Sequence, residues 1–162
     1  MGVFNRNVTG HVSVPIAVTL ERGALIFFAE TIGETNPVHF DILSARAAGY
    51  PDILAPPTYA AVVGSQADHA ARRQGHGLTS TLDLINADYR HVLHGMESYD
   101  YHSSFFAGDQ VTVTTEIKGF SDVKGGKLEI ANISQKIKHP ERGLLVEISR
   151  DIIHQLDRSA LP

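Results

Sequence analysis

The stretch Glu34-Thr35-Asn36-Pro37-Val38-His39 sets a carboxylate and an imidazole five positions apart, with Asn-Pro between them. Asn before Pro favours a turn, and proline disfavours helix in the residue that precedes it. The chain is therefore predicted to leave a helix near Gly33 and fold back on itself. Such a turn brings Glu34 and His39 close enough to grip one water molecule. A general acid–base pair needs that geometry, with each group in hydrogen-bond reach of the proton it moves. Asn-Pro turns are common, however, and spacing alone does not separate a catalytic pair from two solvated loop side chains.

The elements around the turn have to hold it. Upstream, Val12, Val14, Ile16 and Val18 alternate with other residues, the period of a strand or extended arm, and Pro15 assigns it to a sheet edge. Thr19 is the expected cap of a helix over residues 20 to about 31, with Leu20, Ala24, Phe27 and Phe28 on one side. Downstream, Asp41 caps a short helix through Ile42, Leu43 and Ala45 that stops at Gly49. A loop closed by Pro56-Pro57 leads into Thr58-Tyr59-Ala60-Ala61-Val62-Val63-Gly64, apolar or small on nearly every side, as a helix wrapped by sheet would be. That helix turns polar by Asp68 to Arg73 and is expected to end at Gly75-His76-Gly77.

The second half reads as strands. Residues 92–106 form a long stretch, broken near Gly95, with Tyr99 and Tyr101 on one face, and Ala107-Gly108-Asp109 turns it. Residues 111–117 are rich in β-branched side chains, Lys124-Gly125-Gly126-Lys127 makes a hairpin, residues 128–134 alternate, and Gly143 opens a last strand to residue 154. Helices followed by consecutive antiparallel strands make an α+β fold. No repeat or linker divides the 162 residues, so one domain over 1–162 is expected.

Composition removes several functions. A net charge of -4 with Arg72-Arg73 as the only adjacent basic pair gives no nucleic-acid footprint. Without cysteine there is no disulfide framework, thiolate nucleophile or Cys-based metal site. The first residues lack the apolar core of a signal peptide, and no apolar run approaches the ~20 residues of a membrane span. Gly2 hints at myristoylation, but Arg6 stands where Ser or Thr is needed. A soluble, cytoplasmic protein is expected. His91 and His94 fall on opposite faces of a strand and are no metal pair. His69 and His76 sit where the helix surfaces, and His102 follows Tyr101 on a sheet face. Ser65 and Ser80 lack the Gly-x-Ser-x-Gly setting of a serine hydrolase.

An Asn-Pro turn, a short helix, a loop, an apolar helix and a run of long strands is the order of the hot-dog fold, an antiparallel sheet wrapped around a long central helix. The segment from Phe28 to His39 resembles the hydratase motif of the MaoC-like (R)-specific enoyl-thioester hydratases and dehydratases. That motif reads Gly-Asp-x-Asn-Pro-x-His, and here Glu34 replaces its Asp. Ala45-Arg46-Ala47-Ala48-Gly49-Tyr50-Pro51, Leu54-Ala55-Pro56-Pro57-Thr58, Leu93-His94-Gly95-Met96-Glu97, Tyr101-His102 and Ala107-Gly108-Asp109 are similar to the N-terminal-half, or partner-subunit, branch of two-part (3R)-hydroxyacyl dehydratases.

The resemblance implies a reaction. His39 would be the base that takes a proton from water, Glu34 would position that water and relay a proton, and Asn36 would brace the turn beside the substrate. The first amides of the central helix, near Thr58, would polarise the thioester oxygen, and Tyr59 would pack or line the acyl site. No metal or cofactor is required, and the partners would be an acyl-CoA or acyl-ACP thioester and a second hot-dog domain, as homodimer or heterodimer. Two departures matter. Glu reaches about 1.5 Å further than Asp, and Pro56-Pro57 stands where active relatives often have His-Gly, so an amide donor is lost. A non-catalytic acyl-binding subunit of a two-subunit dehydratase therefore stays open beside the enzyme. A hot-dog thioesterase fits the fold and not the turn.

Overall fold

Alternating β-branched residues build one antiparallel sheet of five strands, and a single long helix lies across it. The computed structural model describes residues 2–74 and 80–156. The strands are β1 (Ile16–Thr19), β2 (Val92–Tyr101), β3 (Gln110–Val123), β4 (Leu128–His139) and β5 (Gly143–Gln155). Their order in the sheet is β1-β3-β4-β5-β2, so the short β1 and the long β2 are its edges. The helices are α1 (Arg22–Thr31), α2 (Ile42–Ala47), α3 (Tyr59–Gln74) and α4 (Thr81–Leu84). This is the hot-dog arrangement, with α3 as the wrapped helix.

The core follows the periods of its elements. Tyr59, Ala60, Val63, Ala67 and Ala71 make one buried stripe on α3, which meets Ile16, Val18, Val111, Val113, Ile137 and Ile148 of the sheet. Small residues on the stripe let helix and sheet approach closely. A second cluster, around Phe4, Ile85, Ile117, Ala131, Ile133 and Ile152, fills the far end of the same sheet. The N-terminal segment is tied there by the buried carboxylate of Glu129, which accepts from the amides of Val3 (2.6 Å) and Phe4 (3.2 Å) and from Arg6 (2.9 Å).

Several expectations shift. Helix α1 begins at Arg22, not after a Thr19 cap, because Leu20 is held extended: its amide donates to Asp109 O (2.9 Å) and its carbonyl accepts from Gly108 N (2.8 Å). Its buried residues are Leu25 and Ala29, with Phe28 packed beside the core and Phe27 70% exposed, so the stripe runs one position away from the one expected. Asp41 caps α2 as expected, accepting from Ser44 N at 2.7 Å. The residues expected to end α3, His76 among them, lie outside the described residues. Strand β2 stops at Tyr101, and its register shifts between His94 and Glu97, around Gly95. Strands β3 and β4 are longer than their alternating segments, because their pairing continues up to the 124–127 hairpin and down to His139. Helix α4 has no periodic signal; Ser80 caps it.

Candidate active site

The turn is set by the way α1 ends. Gly33 adopts φ +77°, its amide donates to Glu30 O (3.1 Å), and the Glu34 amide donates to Ala29 O (2.9 Å). This pair of bonds is the Schellman stop, which needs a left-handed residue and so favours glycine. Asn36 then caps a 3-10 turn over Pro37–His39, its Oδ1 accepting from Val38 N at 3.2 Å. Pro37 occupies the first position of that turn, where its missing amide costs nothing. The Asn36 side-chain oxygen is thus occupied in shaping the turn.

Two bonds tie the turn to the loop before α3. The Leu54 amide donates to Val38 O (3.0 Å), and His39 Nδ1 lies 2.7 Å from Leu54 O. A carbonyl can only accept, so Nδ1 carries the proton and neutral His39 presents a bare Nε2 lone pair. That nitrogen lies 3.9 Å from Glu34 Oε2. The separation exceeds a direct hydrogen bond and lets both groups contact one small molecule between them. His39 is 6% exposed, while the Glu34 side chain is 34% exposed, so the imidazole is buried and the carboxylate reaches solvent.

The start of α3 is partly committed. The amides of Tyr59, Ala60 and Ala61 donate to the carbonyls of Pro56, Pro57 and Thr58 at 2.9, 3.2 and 3.2 Å. Pro56 and Pro57 have no amide, so the Thr58 N–H is the donor left at this helix end among the described residues. The expectation that several first amides face a substrate is narrowed to one. Tyr59 is 1% exposed, stacks edge-on against Phe28 (centroids 5.3 Å) and has its hydroxyl pushed above the ordinary range, chiefly by burial. It is a core residue in this chain. Beside the helix start, Pro57, Tyr101, His102, Ser103, Ser104 and Phe105 line an open cleft of about 360 Å³, and Tyr101 donates its hydroxyl to Pro57 O at 2.9 Å.

Sequence reasoning missed what holds the loop from its other side. Residues 53–55 pair with 105–107 through Ala55 N to Phe105 O (3.0 Å), Ala107 N to Ile53 O (3.0 Å) and a Leu54–Phe106 bridge. Asp109 fixes that second segment, accepting from Phe106 N (2.8 Å) and pairing with Arg142, whose guanidinium also donates to Ser104 O at 2.7 Å. Arg142 lies far along the chain from the loop it braces, and no local motif marks it.

Three other histidines among the described residues have partners or places of their own. His91 closes a 3-10 turn before β2, His94 lies 3.4 Å from Glu97, and His102 lies 3.5 Å from Asp100. Among the described residues no group of three or more His, Asp or Glu side chains is disposed to hold a metal ion, and no helix is long and apolar enough to cross a membrane.

Comparison with known proteins follows the same lines. A family model described as FAS1-like, dehydratase domain region, matches residues 7–143. A UPF0336 protein of Streptomyces griseus is 34% identical over 119 residues, 74% of this chain and 72% of that protein. One of Streptomyces coelicolor is 32% identical over 116 residues, 72% of this chain and 70% of its own. Among solved structures, the Mycobacterium tuberculosis HadBC (3R-hydroxyacyl-ACP dehydratase) complex superposes with a TM-score of 0.71 at 16% identity, covering 90% of this chain and 96% of that one. The ChsH1-ChsH2 complex from the same organism gives 0.70 at 22%, covering 93% and 92%. The (R)-hydratase from A. caviae involved in PHA biosynthesis gives 0.63 at 17%, covering 89% and 94%. Turn, wrapped helix and matched family model together make this chain a member of the FAS1-like dehydratase-region family, MaoC-like proteins of the hot-dog fold.

Proposed function

We propose that this chain catalyses the (R)-specific hydration of an enoyl thioester, or in reverse the dehydration of a 3-hydroxyacyl thioester, carried by CoA or acyl carrier protein. One observation carries the reading: His39 has one nitrogen pinned to a backbone carbonyl and the other bare, opposite Glu34. A water between them would lose a proton to His39 Nε2 as its oxygen bonds to C3 of the enoyl group. The negative charge that develops on the thioester oxygen would meet the Thr58 N–H at the positive end of α3. A proton relayed by Glu34 would complete the addition at C2. The (R) assignment is supported by the likeness to a 3R-hydroxyacyl-ACP dehydratase and an (R)-hydratase. Edge strand β2, with Leu93, Met96 and Tyr101 exposed, supports pairing with a second hot-dog domain.

A second reading, an acyl-binding subunit that supports an active partner, is favoured by Pro56-Pro57, which leaves one free amide at the helix end. Hydration of short- and medium-chain enoyl-CoA by the purified chain, wild type beside His39→Ala, separates the two. Turnover that disappears in the variant is the expected result. No turnover by well-folded wild type, with acyl-thioester binding retained, would overturn catalysis and leave the subunit reading.

A further inference from the structure

His39 Nδ1 meets Leu54 O, and a short ladder holds that carbonyl in place. Leu54 faces Phe106 in an antiparallel bridge, flanked by the bonds of Ala55 N to Phe105 O and of Ala107 N to Ile53 O. In such a bridge the two facing residues exchange no hydrogen bonds with each other, and their own amides and carbonyls point outward from the pair. On the outer side of Leu54, the amide donates to Val38 O and the carbonyl meets His39 Nδ1. On the outer side of Phe106, the amide donates to Asp109 Oδ2 (2.8 Å) and the carbonyl accepts from Asp109 N (3.1 Å). The layers therefore stand in line: the turn that carries His39, residues 53–55, residues 105–107, and Asp109.

Arg142 secures the far end of this line. Its guanidinium pairs with Asp109 Oδ2, donates to Ser104 O (2.7 Å) and lies 5.0 Å over the centre of the Phe106 ring. The Asp109 and Arg142 side chains are 11% and 27% exposed, so removing one partner leaves the other charge poorly solvated. The backbone at Arg142 is fixed in turn by His139, whose Nδ1 accepts from the amides of Glu141 (3.2 Å) and Arg142 (3.3 Å). An Nδ1 that accepts leaves the ring proton on Nε2, and that nitrogen faces Asp109 Oδ1 at 3.7 Å. Guanidinium and imidazole thus converge on one carboxylate, and that carboxylate is bonded into the ladder.

We propose that Arg142 is a positioning residue for His39: through Asp109 and the ladder of residues 53–55 and 105–107, it keeps Leu54 O where it holds the His39 proton on Nδ1. Which tautomer a neutral imidazole takes is set by the bond its other nitrogen makes, so a slack ladder frees Nδ1 and lets the proton move to Nε2. The role of a bare Nε2 in accepting a proton from water rests on the function proposed above. The tautomer itself, and its dependence on Arg142, do not.

The test is long-range nitrogen–proton NMR of the full chain labelled at histidine, at about pH 8.5, where an ordinary imidazole is neutral. In wild type the His39 proton is expected on Nδ1. Arg142→Gln removes the ion pair and is expected to move the tautomer ratio about fivefold toward Nε2–H, the factor that one net hydrogen bond supplies. Arg142→Lys keeps a charge beside Asp109 without the fork and is expected to give back part of that shift. Ile152→Val, in the second core cluster, weakens the fold without touching the ladder and should leave the ratio as in wild type. If Arg142→Gln does not fold, Asp109→Asn tests the same link from its other end, with a shift in the same direction expected. A wild-type proton on Nε2, an unchanged ratio in the variant that tests the link, or an equal shift in Ile152→Val would overturn the proposal. Absence of enoyl-CoA turnover by wild type would overturn the proposed hydratase and leave this readout intact.

Discussion

His39 and His154 are both buried, and the protein treats them in opposite ways. His39 has Nδ1 bound to Leu54 O and Nε2 bare toward Glu34. His154, 2% exposed on β5, has no hydrogen-bond partner of good geometry on either ring nitrogen. It packs edge-on to Phe4 (centroids 5.6 Å) and beside His91 (5.9 Å). One imidazole is aimed, and the other only fills space. Burial alone therefore does not make a base. In the reading proposed above, what makes one is a backbone carbonyl that fixes the proton on the far nitrogen and leaves the near nitrogen toward Glu34.

The largest effect should come from breaking the aimed site. His39→Ala is expected to lower hydration of enoyl-CoA by about 10²- to 10⁴-fold, the range of a lost general base. Its stability loss in urea should be about 1–3 kcal/mol, the cost of leaving the Leu54 carbonyl unpaired. Equal losses of activity and folding would mean that His39 is merely a core residue like His154. Glu34→Gln keeps the reach and removes the charge. We expect roughly a 10²-fold loss in kcat with little change in KM. A variant that keeps its full rate would show that the carboxylate is a bystander.

Smaller is the effect of the backbone that aims the pair. Gly33→Ala forces a side chain into φ +77°, a cost of about 1–2 kcal/mol, although space around it is open. The strain falls one residue before Glu34, so Tm and kcat should drop together. A Tm loss with unchanged kcat would separate the helix stop from the chemistry.

These two histidines also show what the sequence can and cannot reveal. Glu34, Asn36 and His39 are legible because one local turn holds all three, and its caps are residue types with fixed backbone preferences. The central helix and the strands are legible from their periods, and Asp41 from its place before an apolar run. Leu54's part is a backbone atom's and has no side-chain signature. Arg142 reaches Asp109 across the β4–β5 hairpin, and Gln135 meets Gly64 only after sheet and helix pack. Thr19 is a plausible cap on local grounds. It loses because Leu20 is bonded to residues 108 and 109, a contact that no window around residue 20 contains. His154 is invisible for the same reason: its surroundings come from residues 4, 91 and 129.

The smallest effect sharpens the comparison from the other side. Burial holds the His154 imidazolium below its ordinary value of about 6.5, and His91 adds to this, against weaker opposing influences from Glu129, Asp88 and the backbone at Gln155. The folded protein thus refuses a proton that the unfolded chain accepts. Stability from this residue is full above pH 6.5 and falls as pH drops from there toward the lower folded value, since the unfolded state then binds more protons. Its neutral ring also buries an N–H that makes no well-formed hydrogen bond. His154→Leu removes both penalties and should raise stability by about 1 kcal/mol at pH 7 and by more at pH 5. Urea melts of wild type and variant at the two pH values measure this directly. A gain of the same size at both would mean that His154 is paired or solvated when charged. A loss at both would mean that its ring nitrogens hold contacts as firm as the one that orients His39.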